Sequence, residues 1–537
     1  MNIHSSKATV ALAMASLAML PAFAAPPAAP QVTVGADTKL LQFDWEIVPQ
    51  SNYYELWFKA NDGAPYVKFS ESEPWRPHAS SSVSAHLLDW VQARYQVRAC
   101  NPSGCGASAP IAVDDFMADT IGYFKARRLH NNGRFGIATA ISENGKTLAA
   151  FTAGETTPDF PKAAVYVFVK SGSHWVQQAR LIPESGVDPF RNLGLHPGSE
   201  ATLSLSGNGN VLVAGMAFKD PSRDLDSAGI TVYRRSGGQW TQEYQNIRVQ
   251  TLGGYVGSFF SEIDEAGQHI LFRPGSYRDP TEMLTHTASG WTSQLVQQPP
   301  SDLANGYGCA SPRLSGDGQS IAWACTQLLR LDNKTLFVSR PPGWQLTESV
   351  AIPFPSGHLN NRVAIDYSGK TIAVGSAAVT FPIADPQNQV RVFSVIPNTT
   401  NAWNISDPIR AGAWNTSTGA TFGTDLDLSR DGALLAILDP RDTGQGTGVL
   451  SPPLQTGTTP TGATYVYELR AQGPRLRRLL KPNNPIPEGG LFDGQVRFGN
   501  NGKTLAVSEP DEPGDSSGID GDRNAGGRIK TGAVWLY

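Results

Sequence analysis

Residues 141–149 read ISENGKTLA, and the pattern of this stretch recurs along the rest of the chain. An apolar residue precedes a polar three-residue turn and a glycine, and two variable residues and two apolar or small residues follow. The other copies are LSGNGNVLV (205–213), IDEAGQHIL (263–271), LSGDGQSIA (314–322), IDYSGKTIA (365–373), LSRDGALLA (428–436) and FGNNGKTLA (498–506). Their spacing varies from 51 residues (Gly267 to Gly318) to 70 residues (Gly432 to Gly502). A recurring unit of this length indicates a repeat architecture.

The chemistry of the repeat is that of a β-hairpin. Asn-Gly, Asp-Gly and Ser-Gly favour the positive φ that a tight turn demands. The residue four positions before each glycine and the residue three positions after it are apolar in every copy. In the first copy these two residues are Ile141 and Leu148. Paired strands that pack against neighbouring sheets require such an arrangement.

Two further strand-like segments follow each hairpin. The third segment is rich in β-branched and aromatic residues, as in AAVYVFV (163–169), and a fourth often opens with tryptophan, as at Trp175. Four antiparallel strands repeated seven times predict an all-β fold, a seven-bladed β-propeller over residues 120–537. The last repeat ends at its third strand, and we expect Tyr123–Leu129 to supply the fourth and close the ring.

The repeats resemble the FG-GAP repeats of bacterial surface proteins and of the integrin α-subunit head. Phe135-Gly136 and Phe422-Gly423 stand where that family places its Phe-Gly pair, and Phe492 stands at the equivalent point of the last repeat. The stretch from Ser508 to Tyr537 is similar to the family's Gly-Ala-Pro loop and following strand. The third and fourth repeats match loosely and also resemble TolB-type propellers. The resemblance implies a propeller used for adhesion or binding.

Residues 26–115 read as a separate small all-β domain. KLLQFDWEIV (39–48) and YYELWFKA (53–60) are strand-like, with Trp45, Leu56 and Phe58 as candidate core residues. ARYQVRACNPSGC (93–105) resembles the end of a fibronectin type III domain, in which Tyr95 would fill the tyrosine-corner position. The resemblance implies an immunoglobulin-like β-sandwich, a fold that most often serves as a spacer.

The first 24 residues have the pattern of a secretory signal peptide. Lys7 supplies a positive charge, Ala8–Leu20 are largely apolar, and Ala22-Phe23-Ala24 suggests cleavage after Ala24. We therefore expect an exported protein in the periplasm, outside the cell or on its surface, without a transmembrane segment. The near balance of 43 basic and 47 acidic residues argues against a nucleic-acid partner. We expect a monomer.

The four cysteines fall into two close pairs. Cys100 and Cys105 bracket Asn-Pro-Ser-Gly, and Cys309 and Cys325 lie eight residues on either side of Asp317 in a predicted turn. Equal distance from a tight turn places two residues opposite each other on antiparallel strands, where a disulfide is possible. Both pairs are predicted disulfides in an oxidising compartment. A four-cysteine zinc site lacks the Cys-x2-Cys spacing.

The long connections between second and third strands define a candidate binding surface. They follow Phe151, Asp439 and Glu509, and in an antiparallel blade all of them emerge on one face. Recognition residues concentrate on loops held by a rigid scaffold, although such loops can also be tolerated insertions. The predicted partner is an extracellular protein or glycan.

The last of these loops also suggests a calcium site. Its oxygen ligands would be Asp515, Asp520, Asp522 and Asn524. Integrin-type FG-GAP blades bind calcium in such loops, so the resemblance supports this ion. The full Asp-x-Asp-x-Asp-Gly pattern with a closing glutamate is absent, and a solvated turn is the alternative.

Motifs for catalysis are sparse. The sequence contains no His-Glu-x-x-His pair and no Gly-x-Ser-x-Gly elbow. The abundant carboxylates nevertheless leave room for a glycosidase-like acid pair on the propeller. The sequence thus favours a secreted or surface binding protein without catalytic residues, and the alternative is an extracellular polysaccharide hydrolase or lyase.

Overall fold

The computed structural model describes residues 25–154, 163–182, 200–220, 225–251, 259–273, 279–300, 307–309, 312–327, 330–354, 360–377, 388–397, 399, 402–417, 421–482 and 494–537. The predicted signal peptide lies outside these residues. The chain divides into two compact units. The first comprises residues up to 35, 42–80 and 91–113, and the second comprises 36–41, 81–90 and 114–537.

The N-terminal strands form two β-sheets. The strands are β1 (Val32–Asp37), β2 (Leu40–Trp45), β3 (Tyr53–Lys59), β4 (Val67–Ser72), β5 (His78–Ser82), β6 (Arg94–Asn101), β7 (Gly104–Ala107) and β8 (Ile111–Ala112). One sheet has the order β1-β2-β5, and the other has the order β4-β3-β6-β7 with β8 also on β6. Trp45 and Leu56 are buried as predicted, while Phe58 is partly exposed. Tyr95 is buried against the rings of Phe43 and Phe58, with centroid distances of 4.8 and 4.9 Å.

Seven further sheets follow a short helix α1 (Asp114–Met117), a 3-10 turn (Ala118–Thr120) and strand β9 (Gly122–Phe124). The first sheet contains β10 (Ala138–Ile141), β11 (Thr147–Thr152), β12 (Ala164–Ser171) and β13 (His174–Leu181). The second contains β14 (Glu200–Leu205), β15 (Val211–Asp220), β16 (Leu225–Ser236) and β17 (Gln239–Thr251). The third contains β18 (Phe260–Ile263), β19 (His269–Arg273), β20 (Glu282–Thr287) and β21 (Gly290–Leu295).

The remaining four sheets continue the same antiparallel order. The fourth contains β22 (Tyr307–Cys309), β23 (Arg313–Leu314), β24 (Ile321–Gln327), β25 (Arg330–Arg340) and β26 (Gln345–Ala351). The fifth contains β27 (Asn360–Ile365), β28 (Thr371–Ala377), β29 (Gln389–Val395), β30 (Trp403–Ile405) and β31 (Ile409–Arg410). The sixth contains β32 (Asp425–Leu428), β33 (Leu434–Asp439), β34 (Gly448–Leu450), β35 (Ala463–Arg470) and β36 (Gly473–Lys481). The seventh contains β37 (Val496–Gly499), β38 (Thr504–Glu509), β39 (Ala533–Leu536) and β9.

The hairpin of each repeat has the predicted register. The two apolar positions that flank each turn are directly opposite each other in all seven sheets, as Ile141 is to Leu148 and Phe498 is to Leu505. The turn glycines adopt φ values from 65° at Gly145 to 79° at Gly502. Side chains with a Cβ rarely adopt these angles, which is why the turns require glycine.

The tight turns are joined into a closed cycle of hydrogen bonds, here called the turn ring (142–145, 206–209, 264–267, 315–318, 366–369, 429–432 and 499–502). Backbone N–H groups donate to carbonyls of the next turn in the series Asn144 to Gly207, Gly207 to Glu265, Glu265 to Gly316, Asp317 to Tyr367, Tyr367 to Arg430, and Asn500 back to Glu143. The remaining link, from the sixth turn to the seventh, is made by the N–H of Asp431 to Asn501 Oδ1 at 3.0 Å.

The packing of the sheets follows the same cycle. The first strand of each sheet, here called its inner strand, contacts the inner strand of the next, and β37 contacts β10. For the fourth sheet this strand is β23. Buried apolar clusters draw their side chains from successive sheets, and one of them joins the seventh sheet to the first. This cycle of sheets, as far as the described residues show it, fits a β-propeller.

The predicted closing strand is present but shorter than expected. Phe124 is paired with Val534, and Gly122 is paired with Leu536, so β9 completes the seventh sheet. Residues 125–129 of the predicted Tyr123–Leu129 segment lie beyond the strand. The N–H of Lys125 donates instead to the carbonyl of Gly518 at 2.8 Å, and its side chain forms a buried ion pair with Glu512.

Both predicted disulfides are formed. Cys100 is bonded to Cys105 across β6 and β7, and Cys309 is bonded to Cys325 across β22 and β24. Each pair occupies opposite positions on adjacent antiparallel strands, as the spacing about the turns predicted. Two such bonds are consistent with an exported protein. In the described parts of the chain, no helix has the length and apolar character needed to cross a bilayer.

Candidate functional site

Among the residues that the structure describes, the inner strands have one edge that pairs with no other strand, and polar side chains accept hydrogen bonds from the N–H groups of that edge. An edge N–H group needs an acceptor when it is removed from water. Glu262 Oε2 accepts from the N–H of Leu314 at 2.7 Å, and Asp427 Oδ2 accepts from the N–H of Phe498 at 2.6 Å. Glu262 and Asp427 each immediately precede the apolar residue that flanks the turn of their own sheet. Each accepts its hydrogen bond from the equivalent apolar residue of the following sheet. Asp425, Ser204 and Gln495 make comparable bonds to the next inner strand.

Two arginines complete a group of charged side chains on these strands, here called the inner-strand cluster (Glu262, Arg313, Asp425, Asp427 and Arg497). Arg313 Nε lies 3.1 Å from Glu262 Oε1, and its Nη2 lies 3.6 Å from Asp427 Oδ1. Arg497 Nη1 donates to Asp425 Oδ2 at 2.6 Å. The five side chains retain 13–22 % exposure, so they are accessible in part to solvent.

The protonation of Asp427 is set by this environment. Burial raises the pKa of its carboxyl to about 6, while Arg313, Arg497 and the N–H of Phe498 act in the opposite direction. A carboxyl that titrates near neutral pH can donate or accept a proton under ordinary conditions. Asp425 lies two residues away on the same strand and faces the same side, because side chains alternate along a strand.

The turn ring carries its own charged side chains. Arg430 Nε lies 3.0 Å from Glu265 Oε2, and its guanidinium stacks over the ring of Tyr367 at 3.7 Å. Glu265 belongs to the third turn and Arg430 to the sixth, so this pair reaches across the ring. Burial, together with the neighbouring Glu265, raises the pKa of Glu143 to about 7. The tight-turn end of the axis is therefore occupied by side chains.

A buried lysine holds the long loop of the sixth sheet. Lys481 Nζ donates to Asp442 Oδ1 at 2.7 Å, and both side chains have no exposed surface. Asp442 also accepts from Tyr465 Oη and from the N–H of Gly444. Asp439, at the start of the loop, accepts from Thr421 Oγ1 at 2.6 Å, and burial raises its pKa to about 6.

The seventh sheet repeats this arrangement at equivalent positions. Lys125 Nζ contacts Glu512 Oε2 and donates to Thr531 Oγ1 at 2.9 Å. Tyr123 Oη donates to the same Glu512 carboxylate at 2.9 Å. Glu509 stands where the sixth sheet has Asp439, seven residues after the turn glycine. These groups are buried, so they hold the loops in place and do not themselves face a ligand.

Two of the four predicted calcium ligands, Asp520 and Asp522, accept hydrogen bonds from other groups of the chain. Asp520 accepts from the N–H of Tyr123 at 2.9 Å and from Thr38 Oγ1 at 2.6 Å, and Asp522 accepts from the N–H of Asn524 at 2.9 Å. Within the described ranges, no grouping of three clustered metal-ligating side chains includes Asp515, Asp520 or Asp522. The calcium site stays a prediction.

The Phe-Gly positions that support the family resemblance are structurally equivalent. Phe135 and Phe422 are buried, and Gly136 and Gly423 have φ values of 88° and 91°. The N–H of each glycine donates to the carbonyl of the residue six positions after the turn glycine of its own sheet, at 2.9 Å. Phe492 lies outside the described residues.

The inner-strand cluster was not predicted from the sequence. One signal was present, since a charged residue immediately precedes the apolar turn-flanking position at Glu262, Arg313, Asp427 and Arg497. Charged side chains inside otherwise apolar strands are expensive unless they are paired. Their pairing was not predictable from the sequence, because the two partners of each ion pair come from different repeats.

Comparison with known proteins gives no family for the chain. No protein-family model matches it, and no curated protein matches it. Among solved structures, it is similar to a putative 6-phosphogluconolactonase from Bacteroides uniformis (13 % identity, 73 % of this chain and 99 % of that chain covered, TM-score 0.42). It is also similar to the periplasmic gluconolactonase of Pseudomonas aeruginosa (11 %, 82 % and 97 %, TM-score 0.39) and to a GH74 enzyme from Niastella koreensis (13 %, 71 % and 64 %, TM-score 0.37). At these scores and identities the similarity defines no function for this chain.

Proposed function

We propose that residues 120–537 form a seven-bladed β-propeller with FG-GAP-type repeats and that residues 26–115 form a fibronectin type III-like domain. The closed turn ring and the equivalent Phe-Gly positions support the propeller assignment. The two N-terminal sheets and the buried Tyr95 support the smaller domain. An exported location after removal of residues 1–24 belongs to the same proposal.

For this propeller we propose a hydrolytic activity on an extracellular polysaccharide, with the inner-strand cluster as the reacting site. The observation that carries the proposal is a partly exposed carboxyl, Asp427, whose pKa is raised to about 6 beside a second carboxylate, Asp425. Glycosidases combine a protonated carboxylic acid with an ionised carboxylate. Asp427 would protonate the leaving oxygen, and Asp425, whose Oδ2 accepts from Arg497 Nη1, would activate water.

The proposal further predicts an inverting reaction. The Cα atoms of residues two apart on a strand are about 6.8 Å apart, and their side chains project from the same face of the strand. Inverting glycosidases hold their two carboxyl groups about 6.5–9.5 Å apart, so that a water molecule fits between one of them and the sugar. Release of reducing ends from a panel of polysaccharides and chromogenic glycosides tests for activity, and the anomeric configuration of the first product tests the stereochemistry.

An Asp427→Asn variant tests the role of this carboxyl. We expect kcat to fall by about 100-fold or more, as for loss of a general acid. The activity of the parent should decline as the pH rises through about 6, because Asp427 then loses the proton that it must donate. A folded Asp427→Asn variant with the parent's kcat would contradict the proposal. Thermal unfolding must accompany the assay, since Asp427 also bonds the N–H of Phe498.

A second candidate is binding without catalysis, through the face that carries the long loops. The buried lysine pairs favour it, because they fix loops 440–462 and 510–532 on rigid sheets. Glycan arrays probed with the purified protein test this candidate. Binding that survives in Asp427→Asn but is lost on shortening loop 445–456 would support it over the hydrolase.

A further inference from the structure

Arg362 differs from the other charged side chains of the inner strands. It lies in β27 of the fifth sheet, is exposed, and donates from Nε to the carbonyl oxygen of Thr424 at 3.0 Å. The charged side chains of the inner-strand cluster are all engaged in ion pairs. Arg362 makes no ion pair with any residue that the structure describes.

The position of Arg362 is close to the proposed reacting site. Thr424, whose carbonyl it contacts, immediately precedes Asp425, and Asp427 follows two residues later. Three residues of strand span about 10 Å, so Arg362 and Asp427 lie at distinct points along one side of the axis. An elongated ligand that contacted both side chains would have to span about this distance.

The chemistry of the free guanidinium identifies the group that it would bind. Its Nε donates to the carbonyl oxygen of Thr424, while its two terminal nitrogens make no hydrogen bond to a described residue. A planar guanidinium with two free donors matches a carboxylate in bidentate geometry. A neutral sugar hydroxyl would use one of these donors and leave the charge unbalanced.

We infer that the ligand of this site is a polyuronide, an acidic polysaccharide whose sugar carboxylate binds Arg362. The inference rests on the proposed function, because it names the substrate class of the same site. Arg362 is then a specificity-determining residue that holds the chain while Asp427 and Asp425 act on a neighbouring linkage. Arg313 and Arg497 are both in ion pairs. Among the described residues of the inner strands, Arg362 is therefore the positively charged side chain that has no ion-pair partner.

Polygalacturonate and its methyl ester, together with alginate, are suitable probes. The ester retains the sugar backbone and removes the negative charge. The test variant is Arg362→Gln, and the matched control is Arg410→Gln, which removes an exposed arginine from β31 of the same sheet. We expect the parent to cleave at least one of the two acidic polymers with a lower KM than the ester.

In Arg362→Gln the KM for the acidic polymer should rise by about 10- to 100-fold, the loss expected for one hydrogen-bonded charge pair. The KM for the ester should stay unchanged, and Arg410→Gln should behave as the parent. Equal KM values for parent and Arg362→Gln on the acidic polymer would overturn the inference. Cleavage of the ester or of neutral polysaccharides alone would also overturn it, while the proposed hydrolase would stand.

Binding measurements separate the remaining outcomes. If the parent cleaves none of the polymers, affinity electrophoresis in gels that contain polygalacturonate or alginate measures binding directly. Retardation that is lost in Arg362→Gln and kept in Arg410→Gln would support the polyuronide site and overturn the hydrolase. Absence of both cleavage and retardation with every probe would overturn the inference and the proposed function together.

Discussion

Glu509 illustrates how the fold changes the chemistry of a single residue. Its side chain is buried at the end of β38 and accepts a hydrogen bond from Trp535 Nε1 at 3.0 Å. Burial and the neighbouring Glu512 raise the pKa of its carboxyl to about 8. The carboxyl of a glutamate in an unfolded chain has a pKa of about 4.3. Between this pH and the folded pKa of about 8, the folded chain therefore holds the proton more tightly than the unfolded chain does. Glu509 therefore makes folding less favourable as the pH rises from about 4 to about 8.

Replacing Glu509 with glutamine should remove this dependence. The Glu509→Gln variant should gain stability relative to the parent between pH 5 and pH 9, by about 1.4 kcal/mol for each pH unit between the two pKa values. Thermal unfolding at pH 5, 7 and 9 measures the difference. Asp115→Asn, a change at an exposed residue of α1, is the control and should follow the parent. A parallel pH dependence in Glu509→Gln and the parent would refute this account.

At the scale of single elements, the buried lysine pairs explain how two long loops are fixed. Lys481→Met would leave the Asp442 carboxylate buried beside Tyr465 with no positive partner. Removing one member of a buried ion pair typically costs about 3–5 kcal/mol. We expect a marked fall in the thermal unfolding temperature, with no comparable change in Lys146→Met, which alters an exposed lysine. The double variant Lys481→Met, Asp442→Leu should recover much of the loss, since it removes the uncompensated charge.

The turn ring depends on Asn501 at its sixth link. Asn501 has a φ of 49°, and its side chain both accepts from the N–H of Asp431 and donates to Asp431 Oδ2 at 2.9 Å. Asn501→Gly keeps the left-handed backbone accessible and deletes these bonds, which should lower the free energy of unfolding by about 1–2 kcal/mol. Asn132→Gly, at an exposed position with a φ of 61°, provides the comparison in denaturant titrations. Equal effects of the two changes would show that the ring link contributes nothing.

Individual elements differ in how far the sequence reveals them. The hairpins were predictable, because a glycine with positive φ and apolar residues such as Ile141 and Leu148 are local signals. The disulfide between Cys309 and Cys325 was predictable for the same reason. The contact between Glu262 and Leu314 was not, since it joins two repeats whose relative position is set by packing. Likewise, the backbone bond from Lys125 to Gly518 just after the end of β9 joins residues far apart in the sequence.

For the whole molecule, closure by β9 makes the seventh sheet as complete as the first. The amides of β39 are covered on one side by β38 and on the other by β9. We expect residues 533–536 to exchange their amide hydrogens as slowly as residues 164–168 of β12, which are also covered on both sides. Hydrogen exchange followed by mass spectrometry of peptides from these two segments tests the prediction. Fast exchange of 533–536 alone would indicate that the ring opens at this sheet.

The pairing of Gly122 with Leu536 also constrains the order in which the protein can be assembled. Strand β9 leaves the ribosome early but finds its hydrogen-bonding partner only after residue 536 has been synthesised. Until then the seventh sheet lacks its fourth strand, and the cycle of sheets remains open. The seventh sheet, and with it the cycle of sheets, can therefore be completed only after residue 536 has left the ribosome.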